Sequence, residues 1–200
     1  MFTVTLEQLR TEGACFDGYN RVVRMLQTQP FTEEDKCLRS YIAFDSGVEI
    51  GLADICRNQG VGDALWATRC LDSKVYVRDL RLFAVWCVRR IQHLLTDERS
   101  IRVLDVAERF ANGDATSEEL AEARQAAYVA YSYVAVNRAA CYAAYAASDA
   151  ASRAVNDTER LEQTEMFIKM CEGKAPWQVN QTQNKTEIST GDIVMRERND

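Results

Sequence analysis

The sequence has few residues that interrupt regular structure and little of the alternating polar and apolar pattern that strands need. Its 200 residues include two prolines and nine glycines. Apolar residues recur at helical spacing along most of the chain. Two hundred residues form one ordinary domain with a sizeable core. The sequence therefore predicts an all-α fold, a single-domain helical bundle.

The motifs of common catalytic and cofactor sites are also missing. No GxSxG nucleophile elbow, P-loop, HExxH zinc motif or dinucleotide-binding glycine pattern occurs. The single histidine, His93, follows Trp86 by seven residues on one side of a predicted helix, which favours a packed or surface imidazole over a general base. Paired carboxylates such as Glu33 and Glu34 stand at predicted helix starts, where the helix dipole favours them. We expect no catalytic residues and no cofactor, and therefore no enzyme.

The seven cysteines include no CxxC pair, and one histidine is too few for a zinc site built with them. Most stand beside apolar residues at helical spacing, so we expect buried, reduced thiols and no metal. They are Cys15, Cys37, Cys56, Cys70, Cys87, Cys141 and Cys171.

Long apolar segments and a strong charge are absent as well. No run approaches the ~18 apolar residues that a membrane-spanning helix needs, and MFTVTLEQLRTEG lacks the regions of a signal peptide. We expect a cytoplasmic protein. A net charge of −6 makes a general nucleic-acid binder, which is normally basic, an unlikely class.

Capping residues mark several helix starts. Three capping boxes are predicted: Thr5 with Gln8, Thr32 with Asp35, and Thr116 with Glu119. The helix after Thr32 is predicted to continue through Tyr41 to Phe44. The strongest predicted helix covers 78–95 and is apolar on two sides, with Leu80 and Phe83 on one side and Leu82 and Val85 on the other. We therefore expect it to be central, packed between neighbours.

Residues 117–155 contain fifteen alanines in 39 positions and no helix breaker, which predicts one long Ala-rich helix. Helical spacing places small residues on one side and large amphipathic residues on the other. The second set, here called the Tyr/Arg face, is Arg124, Tyr128, Tyr131, Arg138, Tyr142, Tyr145 and Arg153. Two interpretations stay open: half-buried packing at the edge of the core, or a partner-binding face, since tyrosine and arginine anchor interfaces.

The segment 74–109 carries eight lysines and arginines against five acids, a local charge of 8 − 5 = +3. Five arginines are candidates for an anion or nucleic-acid site: Arg78, Arg81, Arg89, Arg90 and Arg102. They point to different sides of their helices, and nearby acids such as Asp79, Asp105 and Glu108 favour a solvated, partly paired surface instead.

The domain is predicted to span 1–172, with N-terminal helices in 1–58 and the remaining helical core in 60–172. Residues 173–200 are polar and lack a helical period, so they form a predicted polar C-terminal extension. We expect it to be ordered only where contacts hold Trp177, or Ile193 and Val194.

Three segments within about 60–155 form a specific series: GDALWATRCLD, RDLRLFAVWCVRRIQHLLTDER and AERFANGDATSEEL. The series resembles an immunity-protein-like family of bacteria and their phages. The matching positions are Asp63, Ala64, Leu65, Trp66 and Arg69, then Arg78, Leu82, Phe83, Ala84, Trp86 and Cys87, then Ala107, Glu108, Arg109, Phe110, Ala111, Gly113, Ala115 and Thr116. The resemblance implies toxin neutralisation and supplies no catalytic residues.

The leading hypothesis is a non-enzymatic cytoplasmic interaction protein, encoded by a phage or mobile element, that binds and neutralises a protein effector such as a toxin or a bacterial defence component. One alternative is a binder of nucleic acid or a small anionic ligand through the arginines of 74–109. Another is an enzyme with an unrecognised site in the bundle. The oligomeric state is left open, and no membrane partner is expected.

Overall fold

The computed structural model describes residues 1–95, 98–130 and 157–179. Helices dominate these residues, which confirms the predicted all-α class. The elements are β1 (Thr3–Thr5), α1 (Leu6–Thr11), α2 (Phe16–Leu26), α3 (Glu33–Cys37), β2 (Glu49–Gly51), α4 (Leu52–Gln59), α5 (Val61–Ala67), α6 (Ser73–Arg90), α7 (Glu98–Asn112), α8 (Ser117–Ala130) and α9 (Asp157–Cys171). Two 3₁₀ turns, Thr68–Cys70 and Gln92–Leu94, follow α5 and α6.

The predicted capping boxes are present at all three helix starts. At α1, Gln8 N–H donates to the Thr5 hydroxyl at 3.2 Å, and Thr5 N–H donates to the Gln8 side chain at 2.8 Å. At α8, the equivalent bonds between Thr116 and Glu119 measure 3.2 and 2.7 Å. Each pair satisfies two backbone donors that a helix start leaves open. The Thr32 box is built in the same way at α3.

The two short strands form an antiparallel ladder that the sequence did not reveal. Val4 lies opposite Ile50, and both are nearly fully buried. Phe2 extends the contact, since its carbonyl accepts from Leu52 N–H at 2.9 Å and its N–H donates to Cys171 at 3.4 Å. Three-residue strands are too short to display an alternating pattern, which explains why they escaped prediction.

The helix predicted from Thr32 to Phe44 is wrong beyond Cys37, where α3 ends. The residues that follow are not helical, and several of their polar groups bond to other elements. Asn20 donates its amide to the Ser40 carbonyl at 3.0 Å and accepts from Ile42 N–H at 2.9 Å. Tyr41 donates its hydroxyl to the Ala14 carbonyl at 2.6 Å. Tertiary bonds outweigh local helix propensity here.

Helix α6 has the central position expected for a helix that is apolar on two sides. Leu80 and Phe83 are buried in the main hydrophobic core, and Leu82 and Val85 are buried as well. The Phe83 ring meets that of Phe167 in α9 edge to face, with centroids 5.4 Å apart. The predicted bounds 78–95 were wrong, because the helix spans Ser73–Arg90. Its start is set by the Asp72 carboxylate, which accepts from Lys74 N–H at 2.8 Å, and its end by Ile91, whose backbone leaves the helical region.

Helices α7 and α8 form a second, smaller core beside α6. Val106, Leu120 and Ala123 are its buried residues, and Phe110 packs against them. The predicted long Ala-rich helix is described only to Ala130, as α8. Its continuation through 131–155 lies outside the described residues.

The expectation of buried cysteines is correct for half of the described thiols. Cys56, Cys87 and Cys171 are buried, whereas Cys15 and Cys37 are exposed. The six described cysteines, which include the half-buried Cys70, form no disulfide with one another; Cys141 lies outside the described residues. Cys15 is the N-cap of α2, and Cys37 is the last residue of α3.

The first residues of the predicted polar extension are held by the bundle. Ala175 is fully buried, and Trp177 packs against the main core. The Gln178 amide donates to Asp79 of α6 at 2.7 Å and to the Met170 carbonyl at 3.1 Å. Contacts at Trp177 are one of the two conditions under which we expect this extension to be ordered. Residues 180–200, with Ile193 and Val194, lie outside the described residues.

Asn20 generates a prediction about stability. Replacement by alanine leaves the Ser40 carbonyl and the Ile42 N–H without their partner, and each stranded polar group costs about 1–3 kcal/mol. We expect Asn20→Ala to lower the free energy of unfolding by about 2–4 kcal/mol in urea titrations. Asn58→Ala, at an exposed position of α4, is the matched control and should have little effect. Equal effects of the two substitutions would contradict this role.

Asp35 generates a prediction about the stability of the fold at acidic pH. Its carboxylate is 3% exposed, takes two hydrogen bonds from Arg24 at 2.7 and 3.0 Å and accepts from Thr32 N–H. The Arg24 bonds come first among the causes that lower the pKa of Asp35 from 3.8 to about 2. Because the folded-state pKa is depressed, its stabilisation is complete above about pH 4 and is lost as pH falls through about 2.

We therefore expect Asp35→Asn to lower the urea midpoint of unfolding at pH 7. Between pH 5 and pH 2, the urea midpoint of this variant should fall less than that of wild type. Asp114→Asn, at an exposed position, serves as the control. A parallel loss of stability in wild type and Asp35→Asn across this range would refute the assignment.

Candidate functional site

Most of the predicted Tyr/Arg face falls outside the described residues. Those positions are Tyr131, Arg138, Tyr142, Tyr145 and Arg153, and their prediction is neither supported nor opposed. Tyr128 belongs to the last turn of α8, where the backbone is helical as predicted. Arg124 is the one member whose side chain is described, and it is half-buried.

Three of the five candidate arginines of 74–109 are bonded to acids. Arg89 donates to Asp105 at 2.5 Å and to Glu108 at 3.0 Å, which ties α6 to α7. The remaining contacts join Arg78 to Asp79 and Asn112, and Arg90 to Glu162 of α9 and the Trp86 ring. Their charges are largely matched inside the molecule. Arg102 is exposed on α7.

Arg81 differs from these three. Its side chain is half-buried on α6, and its guanidinium lies 4.7 Å from the centroid of the Phe110 ring on α7. Burial lowers the pKa of Arg81, and the positive charge of Arg124 lowers it further. Burial also lowers the pKa of Arg124. The structure thus brings together one arginine from each predicted set.

We call Arg81, Phe110 and Arg124 the arginine junction. Within 1–95, 98–130 and 157–179, neither arginine has an acidic side chain as partner. Two like charges that are partly removed from water repel each other and lose hydration. An anion held between them would offset both costs, and arginine suits carboxylate and phosphate oxygens, which it can bind in bidentate fashion.

Local structure fixes the position of Arg124. Gly113 ends α7 with a φ of +87°, a conformation that favours glycine, and the chain turns there into α8. Arg109 braces the turn by donating to the Asp114 carbonyl at 2.9 Å and to Glu119 at 3.2 Å. Leu120 is buried and locks the rotation of α8, so Arg124, one turn later, is directed towards α6. The junction therefore depends on tertiary packing that neither helix pattern showed.

The structure also places the single histidine and the potential metal-binding side chains. His93 is exposed in the 3₁₀ turn after α6. In the described part of the chain, no group of three or more histidine, cysteine or acidic side chains could hold a metal ion. Over the same residues, no helix is long and apolar enough to cross a membrane.

Comparisons with known proteins found no matching family model, no matching curated protein and no matching solved structure. The resemblance to an immunity-protein-like family therefore stays an expectation from the three sequence segments. The geometry of the described residues must carry any functional proposal.

The arginine junction generates a prediction about stability. Replacing Arg124 by glutamine removes one of two like charges and keeps a good helix former, so we expect stability to hold or to rise by up to about 0.5 kcal/mol. Arg109→Gln is the control, since Arg109 is paired with Glu119, and it should lose about 0.5 kcal/mol. Urea unfolding measures both. A larger loss of stability for Arg124→Gln than for Arg109→Gln would show that Arg124 stabilises the fold. That result would contradict the repulsion between Arg81 and Arg124 at the arginine junction.

Proposed function

We propose that the chain is a non-enzymatic cytoplasmic interaction protein that binds and neutralises a protein effector, and that carboxylates of the effector contact the arginine junction. The observation that carries the proposal is the pair of half-buried arginines, Arg81 and Arg124, with no acidic partner among the described residues. Binding sites commonly retain such unfavourable charges because a partner completes them.

The neighbouring arginines support a specific role for these two. Arg78, Arg89 and Arg90 are bonded to acids or amides of the chain itself, so a partner would have to break those bonds to use them. Within the described residues, a partner would have no acidic side chain to displace from Arg81 or Arg124. A net charge of −6 also disfavours broad attraction to nucleic acid, which would require a basic surface.

The Tyr/Arg face would extend the contact beyond Arg124. Tyr128 follows Arg124 by one helical turn on α8, and the predicted face continues with Tyr131, Arg138, Tyr142, Tyr145 and Arg153. Aromatic side chains beside arginines form the energetic centre of many interfaces. The sequence resemblance favours a toxin or a bacterial defence component as the effector, with a phage or mobile element as the source of the chain.

A second candidate, a small carboxylate or phosphate ligand, follows from the same two arginines. Its binding would also weaken with salt, but it would require no tyrosine face. Nucleic acid is the less favoured form of this candidate, because three of the five predicted arginines are already engaged by the chain's own acidic side chains.

The test is affinity capture with the full chain as bait from bacterial lysate at low and high salt. We expect a protein bound by wild type at low salt to be lost when both arginines are changed, as Arg81→Gln with Arg124→Gln. Two carboxylate pairs contribute roughly 2 kcal/mol together, so about thirtyfold weaker binding is expected in titrations of the purified partner. A purified partner should also lose its activity when the chain is added.

Two control baits separate the junction from general charge effects. Arg109→Gln removes an arginine that Glu119 already holds and should capture as wild type does. Replacing Tyr128, Tyr131, Tyr142 and Tyr145 by alanine tests the predicted face, and a folded variant with wild-type capture would exclude that face. Equal capture by wild type and the double arginine variant, or binding of phosphate in place of any protein, would refute the proposal.

A further inference from the structure

A cavity of about 290 Å³ opens between α1, α2, α4 and α5, and it shares no residue with the arginine junction. Its floor is largely apolar and buried: Leu9, Tyr19, Val22 and Ile55 are each at most 3% exposed. A volume of this size accommodates a small organic molecule. None of the sequence patterns pointed to this cavity, because its walls come from four separate helices.

Missing side chains keep the cavity open. Gly13 and Gly62 both line it, and a Cβ atom at either position would meet no atom within 4 Å. Gly13 has a φ of +80°, where it ends α1, so a larger residue there would be strained. Both positions therefore leave open space at the cavity that a side chain would otherwise occupy.

The polar groups of the cavity lie at its rim and give it a negative charge. Asp63 of α5 makes no ion pair among the described residues. Its Oδ2 accepts from the Gln59 amide at 3.1 Å when that amide is oriented so that both ends have partners. The nearest cation, Arg21, is bonded to Asp17 at 2.9 Å, so that pair is neutral and Asp63 supplies the net charge.

Asp63 is exposed to solvent at the rim, and partial burial of its carboxyl raises its pKa, with Arg21 opposing and Asp17 adding to the increase. This carboxylate makes no ion pair with another described residue. A cation brought to the rim would form an ion pair with it, and an attached hydrocarbon group would fill the floor.

We propose that this cavity binds a small, mainly apolar molecule with one protonated amine, whose ammonium group contacts Asp63 and whose hydrocarbon part occupies the floor formed by Leu9, Tyr19, Val22 and Ile55. The proposal does not rest on the proposed function, since it concerns different residues and a different class of ligand. An effector could bind at the arginine junction whether or not the cavity is filled.

Two probes of nearly equal shape test the charge requirement: 2-phenylethylamine, which is protonated at pH 7, and 2-phenylethanol, which is neutral. Trp66 lines the cavity, whereas Trp86 and Trp177 lie elsewhere in the core. In proton–nitrogen correlation spectra of the full chain, the amine should move the indole N–H signal of Trp66 and leave the other two in place. We expect the amine to bind about fivefold more tightly than the alcohol, the scale of a partly exposed ion pair.

Asp63→Asn keeps the shape and removes the charge, so the amine and the alcohol should bind this variant equally. Asp114→Asn, a matched change on the exposed α7–α8 turn, should keep the wild-type preference. A preference that survives in Asp63→Asn, or equal binding of both probes by wild type, overturns the proposal.

A second measurement needs no variant and locates the probe in the wild-type chain. Nuclear Overhauser contacts are expected between the phenyl protons of the amine and the methyl groups of Val22 and Ile55. Contacts to methyl groups outside the cavity, with none to these two residues, would also overturn the proposal. Effector capture can fail while both probe experiments succeed, so the two proposals are judged separately.

Discussion

Burial of α6 on two sides is the constraint on which the rest of the described structure depends. Leu80 and Phe83 fill the main core with α9, while Leu82 and Val85 are buried in the same turns of the helix. A helix covered on both sides keeps several of its charged residues partly buried, here Arg78, Asp79, Arg81 and Arg89. Arg81 lies between the buried residues Leu80 and Leu82 in the sequence, and its guanidinium lies over the Phe110 ring of α7. The half-buried arginine is thus a direct consequence of the central position of α6, and the proposed effector contact depends on that consequence.

Local chemistry made the helix starts and the central helix predictable. A capping box needs only two residues three positions apart, so Thr5 with Gln8 and Thr116 with Glu119 could be recognised without any knowledge of the fold. The two apolar sides of α6 are likewise properties of one segment. The predicted bounds of that helix were less accurate, because its capping residue, Asp72, lies outside the segment with the strongest apolar pattern.

Features that depend on distant residues could not be predicted in this way. The chain after Cys37 has apolar residues at helical spacing, but the side chain of Asn20 bonds to the Ser40 carbonyl and the Ile42 N–H, and this segment is not helical. Arg81 and Arg124 were assigned to two separate candidate surfaces, and only the packing of α7 and α8 against α6 brings them together. Asp63 was noted only for its part in a resemblance. Its position at the rim of a cavity depends on four helices, none of which carries the pattern alone.

The contact of Phe2 with Cys171 sets an order of events during synthesis. Phe2, Val4, Ile50 and Leu52 belong to the same core as Phe167 and Met170 of α9, although α9 is translated long after β1 and β2. Contacts between residues so far apart in sequence form slowly and late. Until α9 is synthesised, these residues lack the partners that cover them in the folded chain. A chain interrupted before Asp157 would leave that part of the apolar core uncovered, and exposed apolar surface of this kind promotes aggregation.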